Sequence, residues 1–186
     1  MKIGIRGPIG SGKSTITELL SKKLDLTIID ADEIAHMILY HSTVKEDLIK
    51  TFGKDIFIGK EISRKKLGEI VFRDKEKLNE LNNIFSPILK TEIIARSKQY
   101  KNTILDMAIL KQYALNIYLD IVIFVDADEK IRVKRLLKRG FELADIKNKI
   151  AMQNPAPSPG EILFINNFNN LKSLELELDN ILNTIS

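Results

Sequence analysis

The chain has 186 residues, of which 44% are hydrophobic and 29% are charged, with a net charge of +4, and these values are typical of one soluble globular domain. It contains no cysteine, which excludes disulfides, thiolate catalysis and cysteine-ligated zinc. The basic residues are spread along the chain without a basic tract, which suits a polyanionic small molecule, and we expect no nucleic-acid partner.

A strand, a glycine-rich loop and a helix are the first predicted elements. Ile3 and Ile5 alternate as in a strand, and apolar residues recur at helical spacing over residues 16–24. Between them stands Gly-x-x-x-x-Gly-Lys-Ser, a pattern whose backbone N–H groups and following helix N-terminus bind phosphate. The residues expected to contact ATP or GTP are Gly7, Pro8, Ile9, Gly10, Ser11, Gly12, Lys13, Ser14 and Thr15. Among them, Lys13 should reach the β- and γ-phosphates, and the Ser14 hydroxyl should bind Mg²⁺.

An acidic segment follows the second predicted strand, which covers residues 27–29. Asp30, Asp32 and Glu33 come directly after the strand and precede a helix. Residues at the carboxyl ends of parallel strands line the ligand crevice, so these acids should face the phosphate loop. A carboxylate there can bind Mg²⁺ or accept the proton of an attacking hydroxyl. The alternative for Asp30 or Asp32 taken alone is a helix cap.

Short apolar runs separated by helical stretches predict three further strands. These strands lie at residues 103–107, 121–125 and 162–165, and the predicted helices include residues 128–138 and 170–185. With the first two strands they predict one α/β domain, in which a five-stranded parallel sheet lies between layers of helices.

Two segments depart from this alternation. Residues 36–100, between core segments 1–35 and 101–186, have helical periodicity and no convincing strand. A crossover needs only about a dozen residues, so the excess predicts an inserted helical lobe that holds a second substrate or merely adds core. Residues 153–160 contain three prolines and a glycine, which preclude a helix and indicate a mobile lid tip or a stiff connector.

We expect a cytoplasmic protein without membrane association. The opening Met-Lys-Ile-Gly leads directly into the first strand, which leaves no room for a signal peptide. The apolar runs, such as residues 121–125, are far too short to span a bilayer.

Taken in order, these motifs resemble those of the dephospho-coenzyme A kinase family. The most specific are Asp-Ala-Asp at residues 30–32 and Arg-x-x-Leu-x-x-x-Val-Phe at residues 64–72, whereas many nucleotide-binding proteins share the phosphate loop. The likeness covers nearly the whole chain. It continues in Phe52-Gly53, Pro87-Ile88, Leu105-Asp106, Val125-Asp126, Arg135, Arg139, Gln153 and Ile165-Asn-Asn167.

The resemblance implies a three-layer P-loop kinase with an acceptor-binding insertion at residues 36–100 and a lid near residues 139–161. It implies transfer of the γ-phosphoryl group of ATP, with Mg²⁺, to the ribose 3′-hydroxyl of dephospho-coenzyme A, the final step of coenzyme A synthesis. Asp32 would then be the general base beside Lys13. The other contacts that it implies are His36, Arg64 and Asp106 to the acceptor, and Arg139 and Asn167 to ATP. The partner would be the small molecule dephospho-coenzyme A. The protein would be a monomer or a small homo-oligomer.

Several positions depart from the family's pattern. Ser86 stands before a proline where the family usually has histidine, and residues 156–160 form a shorter and less basic lid. With fewer cations in the lid, catalysis would be weaker, or Arg135, Lys138 or Lys147 would supply the missing positive charge. Two alternatives stay open: another small P-loop kinase acting on a nucleoside or nucleotide, and a nucleotide-binding module with little catalysis. A GTPase switch is disfavoured because no Asn-Lys-x-Asp run follows the fourth strand.

Overall fold

The computed structural model describes residues 1–107, 115–152, 155–166 and 170–185. The first half contains β1 (Lys2–Arg6), α1 (Lys13–Leu24), β2 (Thr27–Asp30), α2 (Ala31–Ile38), α3 (Ser42–Phe52), β3 (Phe57–Ile58), β4 (Glu61–Ile62), α4 (Arg64–Val71) and α5 (Lys75–Lys98). The second half contains β5 (Thr103–Asp106), β6 (Ile121–Asp126), α6 (Glu129–Lys138), α7 (Leu143–Met152), β7 (Ile162–Ile165) and α8 (Leu171–Ile185). Short 3₁₀ turns lie at Lys54–Ile56 and Asn116–Tyr118.

Five of these strands form one parallel sheet in the order β2–β5–β1–β6–β7. Helices bury both of its faces. On one face, Ile5 of β1 packs with Ile16 of α1 and Leu178 of α8, and on the other, Ile29 and Leu105 pack with residues of α2 to α5. Strands covered on both sides read as apolar runs, which is the pattern that the sequence has. The predicted five-stranded parallel α/β fold is confirmed.

The stretch between β2 and β5 is mostly helical but contains a small antiparallel hairpin. Phe57 of β3 pairs with Ile62 of β4, and Ile58 pairs with Glu61. The expectation of no strand in this stretch is therefore wrong. The strands have two residues each and flank a turn with Gly59 at φ +63°, so they are too short to produce a period of two in the sequence.

Helix α5 closes the segment between β2 and β5. Its buried residues Phe85, Leu89 and Ile93 recur every four positions and face the core. Pro87 lies within the helix, and the hydroxyl of Thr91 donates to its carbonyl oxygen at 2.9 Å. Neither α5 nor any other helix of the described ranges has an apolar stretch sufficient to cross a bilayer.

Because the main strands are parallel, their carboxyl ends lie at one edge of the sheet. Asp30 at the end of β2 is in register with Asp106 at the end of β5. Asp106 is also in register with Ile5 of β1, and β1 leads directly into the glycine-rich loop. The fold therefore brings the acidic segment beside that loop.

Candidate active site

A cleft of about 480 Å³ opens at the carboxyl edge of the sheet. Its volume is in the range of pockets that take small molecules, about 300–1,000 Å³. Many of the residues predicted from the sequence line it. They are Gly7, Ile9, Gly10, Gly12, Lys13, Ser14, Asp32, His36, Arg64, Asp106 and Arg139, together with Asp30.

Three other residues predicted in the loop are not among the described residues that line the cleft. Pro8 contributes its carbonyl oxygen to Lys13, Ser11 is fully buried, and Thr15 is half-buried in the first turn of α1. Asn167 lies outside the described residues.

The loop between β1 and α1 needs glycine at its two ends. Gly7 has φ +148°, and a Cβ there would collide with the carbonyl oxygen of Val125 on β6. Gly12, the residue before α1, has φ +95°, and a Cβ there would collide with the side-chain amide of Asn166. Only glycine allows both this backbone and this close packing. The first N–H groups of α1 have no partner within the helix, so they are available to a phosphate.

The ammonium group of Lys13 lies across the loop. It donates hydrogen bonds to the carbonyl oxygens of Gly7 at 3.0 Å and of Pro8 at 3.2 Å. Burial lowers the pKa of Lys13, whereas the charges of Asp106 and Asp32 raise it. A cation thus lies between the loop and the two acids.

The outer side of the loop is held by Arg135 and Asn166. The guanidinium group of Arg135 donates to the carbonyl oxygens of Ser11 at 3.0 Å and Gly10 at 3.3 Å, and to the carbonyl oxygen of Asn166 at 3.0 Å. The side-chain amide of Asn166 donates to the Ser11 carbonyl oxygen at 2.8 Å. These bonds turn the loop carbonyls outward. The sequence analysis names Asn166 within the motif Ile165-Asn-Asn167 but predicts no role for it in the site, although its place after β7, at a strand's carboxyl end, is a usable signal.

In the acidic segment, Asp30 and Asp32 have different roles. The carboxylate of Asp30 accepts hydrogen bonds from the backbone N–H groups of Asp32 at 2.8 Å and Glu33 at 3.1 Å, so Asp30 caps α2. Asp32 is left with its carboxylate toward the cleft, where it remains accessible to solvent. The surrounding walls partly desolvate it and raise its pKa, with a further increase from Asp30, whereas Lys13 and Arg64 lower it.

Asp106 is the second acid beside Lys13. Its carboxylate accepts a hydrogen bond from the hydroxyl of Thr17 on α1 at 3.2 Å. Burial raises the pKa of Asp106, and the nearby Asp30 and Asp32 add to that increase. Thr17 was not predicted, but it lies four residues after Lys13 and therefore on the same side of α1.

The rest of the cleft has an apolar wall from α4 and α5 and a basic rim. The apolar side chains are Leu67, Val71, Phe72, Leu78, Leu81, Phe85 and Leu89. Arg64 of α4, His36 of α2, Arg139 and Pro155 line the cleft as well. The cleft thus combines charged groups with an apolar wall.

None of the three cations predicted as substitutes for the basic lid is among the described residues that line the cleft. Lys138 and Lys147 are exposed, and Arg135 binds the loop carbonyls described above. Arg139 lines the cleft instead. On α7, the ammonium group of Lys149 lies 4.3 Å from the ring centroid of Phe72, so this helix contacts the apolar wall.

A glycine-rich loop between the first strand and helix of a parallel sheet, with acids across the cleft, defines a P-loop kinase. The sequence model of the dephospho-CoA kinase family matches residues 1–158, and the chain belongs to that family. Its members are ATP-dependent phosphotransferases, and so is this protein.

Individual relatives give the same result along the whole chain. The chain is 32% identical to the dephospho-CoA kinase of Oceanobacillus iheyensis, over 97% of this chain and 95% of that protein. It is 34% identical to the one of Fusobacterium nucleatum, over 100% and 98%. The solved dephospho-CoA kinase from Campylobacter jejuni has a TM-score of 0.63 at 25% identity, covering 100% and 98% of the two chains. The resemblance noted from the motifs is confirmed.

Proposed function

We propose that the protein transfers the γ-phosphoryl group of ATP to the ribose 3′-hydroxyl of dephospho-CoA, which gives CoA and ADP. One observation carries the proposal: Asp32 and the phosphate loop line the same cleft as the apolar wall of α4 and α5. An acceptor that has both a ribose hydroxyl and a long uncharged arm fits these two surroundings. The helical segment at residues 36–100 is accordingly proposed as the acceptor lobe.

ATP binds at the loop in this proposal. The backbone N–H groups at the start of α1 contact its phosphates, and Lys13 exchanges its bonds to the loop carbonyls for bonds to phosphate oxygens. Arg139 supplies a second cation at the rim. Phosphoryl transfer depends mainly on positioning and on neutralising charge, and these are the contributions that a lysine, an arginine and aligned N–H groups make.

Asp32 acts on the acceptor. It accepts the proton of the 3′-hydroxyl as the oxygen attacks phosphorus, and its raised pKa makes it a stronger base than a carboxylate with the ordinary pKa. Arg64 and His36, which line the cleft near it, bind the phosphate groups of the acceptor. Asp106 belongs to this acceptor side too.

The donor groups at the loop also fit Mg²⁺. Within the described ranges, no three His, Asp or Glu side chains form a metal cluster. A magnesium ion bound with a nucleotide uses few protein ligands and several phosphate oxygens and waters. The Ser14 hydroxyl and the carboxylate of Asp106 would hold the ion, which neutralises phosphate charge when bound. Asp106 is partly desolvated, so a cation beside it is favourable.

An acceptor panel tests the proposal. The protein is incubated with Mg·ATP and dephospho-CoA, adenosine, deoxyadenosine or no acceptor, and ADP release is followed while mass spectrometry locates the added phosphate. We expect ADP release with dephospho-CoA and a product phosphorylated at the ribose 3′ position. Release with the nucleosides alone would reject the proposal in favour of a nucleoside kinase. Binding of both ligands without transfer would identify a nucleotide-binding module.

A further inference from the structure

Arg6, the last residue of β1, forms a buried ion pair with Glu161, 155 positions along the chain. Its Nε and one terminal nitrogen donate to the two carboxylate oxygens of Glu161, each at 2.8 Å. The side chains of the two residues are 4% and 7% exposed. The guanidinium group also lies over the ring of Phe124, 4.7 Å from its centroid.

The same guanidinium group holds the loop before β7. It donates to the carbonyl oxygen of Ala156 at 2.6 Å and to the hydroxyl of Ser158 at 3.1 Å. Glu161 in turn accepts from the backbone N–H of Ser158 at 2.8 Å. Residues 155–161 have no helix or strand, so Arg6 and Glu161 provide much of what orders them.

A buried ion pair is poor evidence for a role in stability alone. Desolvating an arginine and a glutamate is costly, and replacing both with apolar residues of similar size is often neutral or stabilising. The pair therefore calls for a reason other than net stability, and its place beside the cleft supplies one.

The loop ordered by Arg6 borders the cleft on the nucleotide side. The sheet order places β2 and β5 on one side of β1, and β6 and β7 on the other; Asp32 lies two residues after β2, and Asp106 ends β5. Pro155, at the start of the loop, lines the cleft. The acceptor acids occupy the β2 and β5 side, so the body of the nucleotide extends toward β6, β7 and Pro155.

We propose that Arg6 and Glu161 are positioning residues for nucleotide binding. Arg6 directly precedes Gly7, the first residue of the phosphate loop, and its ion pair fixes residues 155–161 at a set position relative to that loop. The pair acts by fixing the shape of the loop at residues 155–161, beside the nucleotide, and it does not touch the reacting atoms. The inference rests on the proposed function only in placing ATP at this loop, and it does not depend on the identity of the acceptor.

The test compares single variants with a double variant. Glu161→Gln and Arg6→Met each leave one buried polar group without its partner, and Arg6→Met/Glu161→Leu removes both. For each protein we would measure thermal unfolding, ATP affinity by calorimetry without any acceptor, and the separate KM values for ATP and dephospho-CoA. Lys23→Met is the matched control, because it breaks the exposed ion pair of Lys23 with Asp179, away from the cleft.

We expect both single variants to weaken ATP binding and raise the KM for ATP by about tenfold, with kcat and the KM for dephospho-CoA changed less than about twofold. The double variant should regain much of the thermal stability lost in the single variants but not the ATP affinity. If the double variant recovered both thermal stability and ATP affinity, or if the KM values for ATP and dephospho-CoA rose equally, the inference would be overturned and the pair would have a purely structural role. If Arg6→Met does not fold, Glu161→Gln and the double variant still decide between these outcomes. Since ATP binding is measured alone, failure here is distinct from failure of the acceptor assignment.

Discussion

The hydroxyl of Thr17 donates a hydrogen bond to the carboxylate of Asp106 at 3.2 Å and so connects α1 to the end of β5. Thr17 is 2% exposed and lies one helical turn after Lys13. Burial raises the pKa of Asp106, whereas Lys13 and this hydrogen bond lower it. One buried hydroxyl thus helps to keep an acid ionised beside the phosphate loop.

Replacing Thr17 with valine should raise the pKa of Asp106 further. The shape of the side chain is kept, but the carboxylate loses its donor while its burial remains. The acid limb of the pH profile of kcat/KM should therefore move to higher pH, and kcat/KM at neutral pH should fall by about tenfold, in line with a hydrogen bond to a charged group. Steady-state kinetics across the acid limb would measure both effects.

Thr17→Ser is the control for this experiment because it keeps the hydroxyl. Its acid limb should stay close to that of the unaltered protein, even if the lost methyl group lowers stability. An acid limb in the same place for Thr17→Val as for Thr17→Ser would show that the hydrogen bond does not tune Asp106.

Asp32→Asn should lower kcat by about 10²–10⁴-fold, because an amide cannot accept the proton of the attacking hydroxyl. ATP affinity should change by less than about twofold, since in our proposal the phosphates are bound by Lys13 and the loop. Rapid-quench or steady-state assays would give kcat, and calorimetry would give the affinity for ATP.

Glu33→Gln is the matched control, because Glu33 is the next residue and an exposed acid of the same helix that does not line the described cleft. It should keep nearly full activity. If Asp32→Asn retained kcat within about tenfold of the unaltered protein, another group would be the base, and the role proposed for Asp32 would be wrong.

The features predicted well from the sequence are those set by neighbouring residues. The Gly-x-x-x-x-Gly-Lys-Ser pattern fixes its own backbone, and the alternation of Ile3 and Ile5 and four short apolar runs predict the strands of the sheet. The position of Asp32 follows too, because a residue after a parallel strand must lie at the carboxyl edge of the sheet. Local chain geometry suffices for such predictions.

The features that were missed depend on contacts between residues far apart in the chain. Arg6 reads as the end of a strand, and only the fold shows that Glu161 is its partner. Asn166 reaches Ser11 across 155 positions, and no spacing rule in one sequence connects them. The hairpin at residues 57–62 was not predicted for a different reason. Strands of two residues are too short to show a period of two in hydrophobicity.

Arg64→Ala should separate the two substrates kinetically. Arg64 lines the cleft at the start of α4, where we propose that the acceptor binds, and its charge lowers the pKa of Asp32. Its loss should raise the KM for dephospho-CoA by about tenfold or more and leave the KM for ATP within about twofold. The acid limb of kcat should move to higher pH, since Asp32 loses a favourable charge.

Lys65→Ala is the control for Arg64, because Lys65 is an exposed neighbour on the same helix and does not line the described cleft. Both KM values should stay unchanged in that variant. An equal increase in the two KM values for Arg64→Ala would place Arg64 outside the acceptor site.

Asp106→Asn should stabilise the fold at neutral pH while it lowers activity. The pKa of Asp106 is raised by folding above its ordinary value of 3.8, so the folded state holds this proton more tightly than the unfolded chain does. The stability that follows from this is fully present below the unfolded pKa and is lost as the pH rises through the folded pKa. Asparagine cannot ionise, so the variant avoids that loss.

The variant should therefore be more stable than the unaltered protein at neutral pH by about 1 kcal/mol, within the range of gains that single stabilising substitutions give. The difference should shrink as the pH falls below the ordinary carboxyl pKa of 3.8, where Asp106 is protonated in both the folded and the unfolded state. Denaturant unfolding at the two pH values would measure it, with Asp47→Asn, an exposed acid on α3, as a control that should show little difference at either. A variant less stable than the unaltered protein at neutral pH would mean that the attraction of Lys13 and the hydrogen bond from Thr17 outweigh the cost of burying the charge of Asp106.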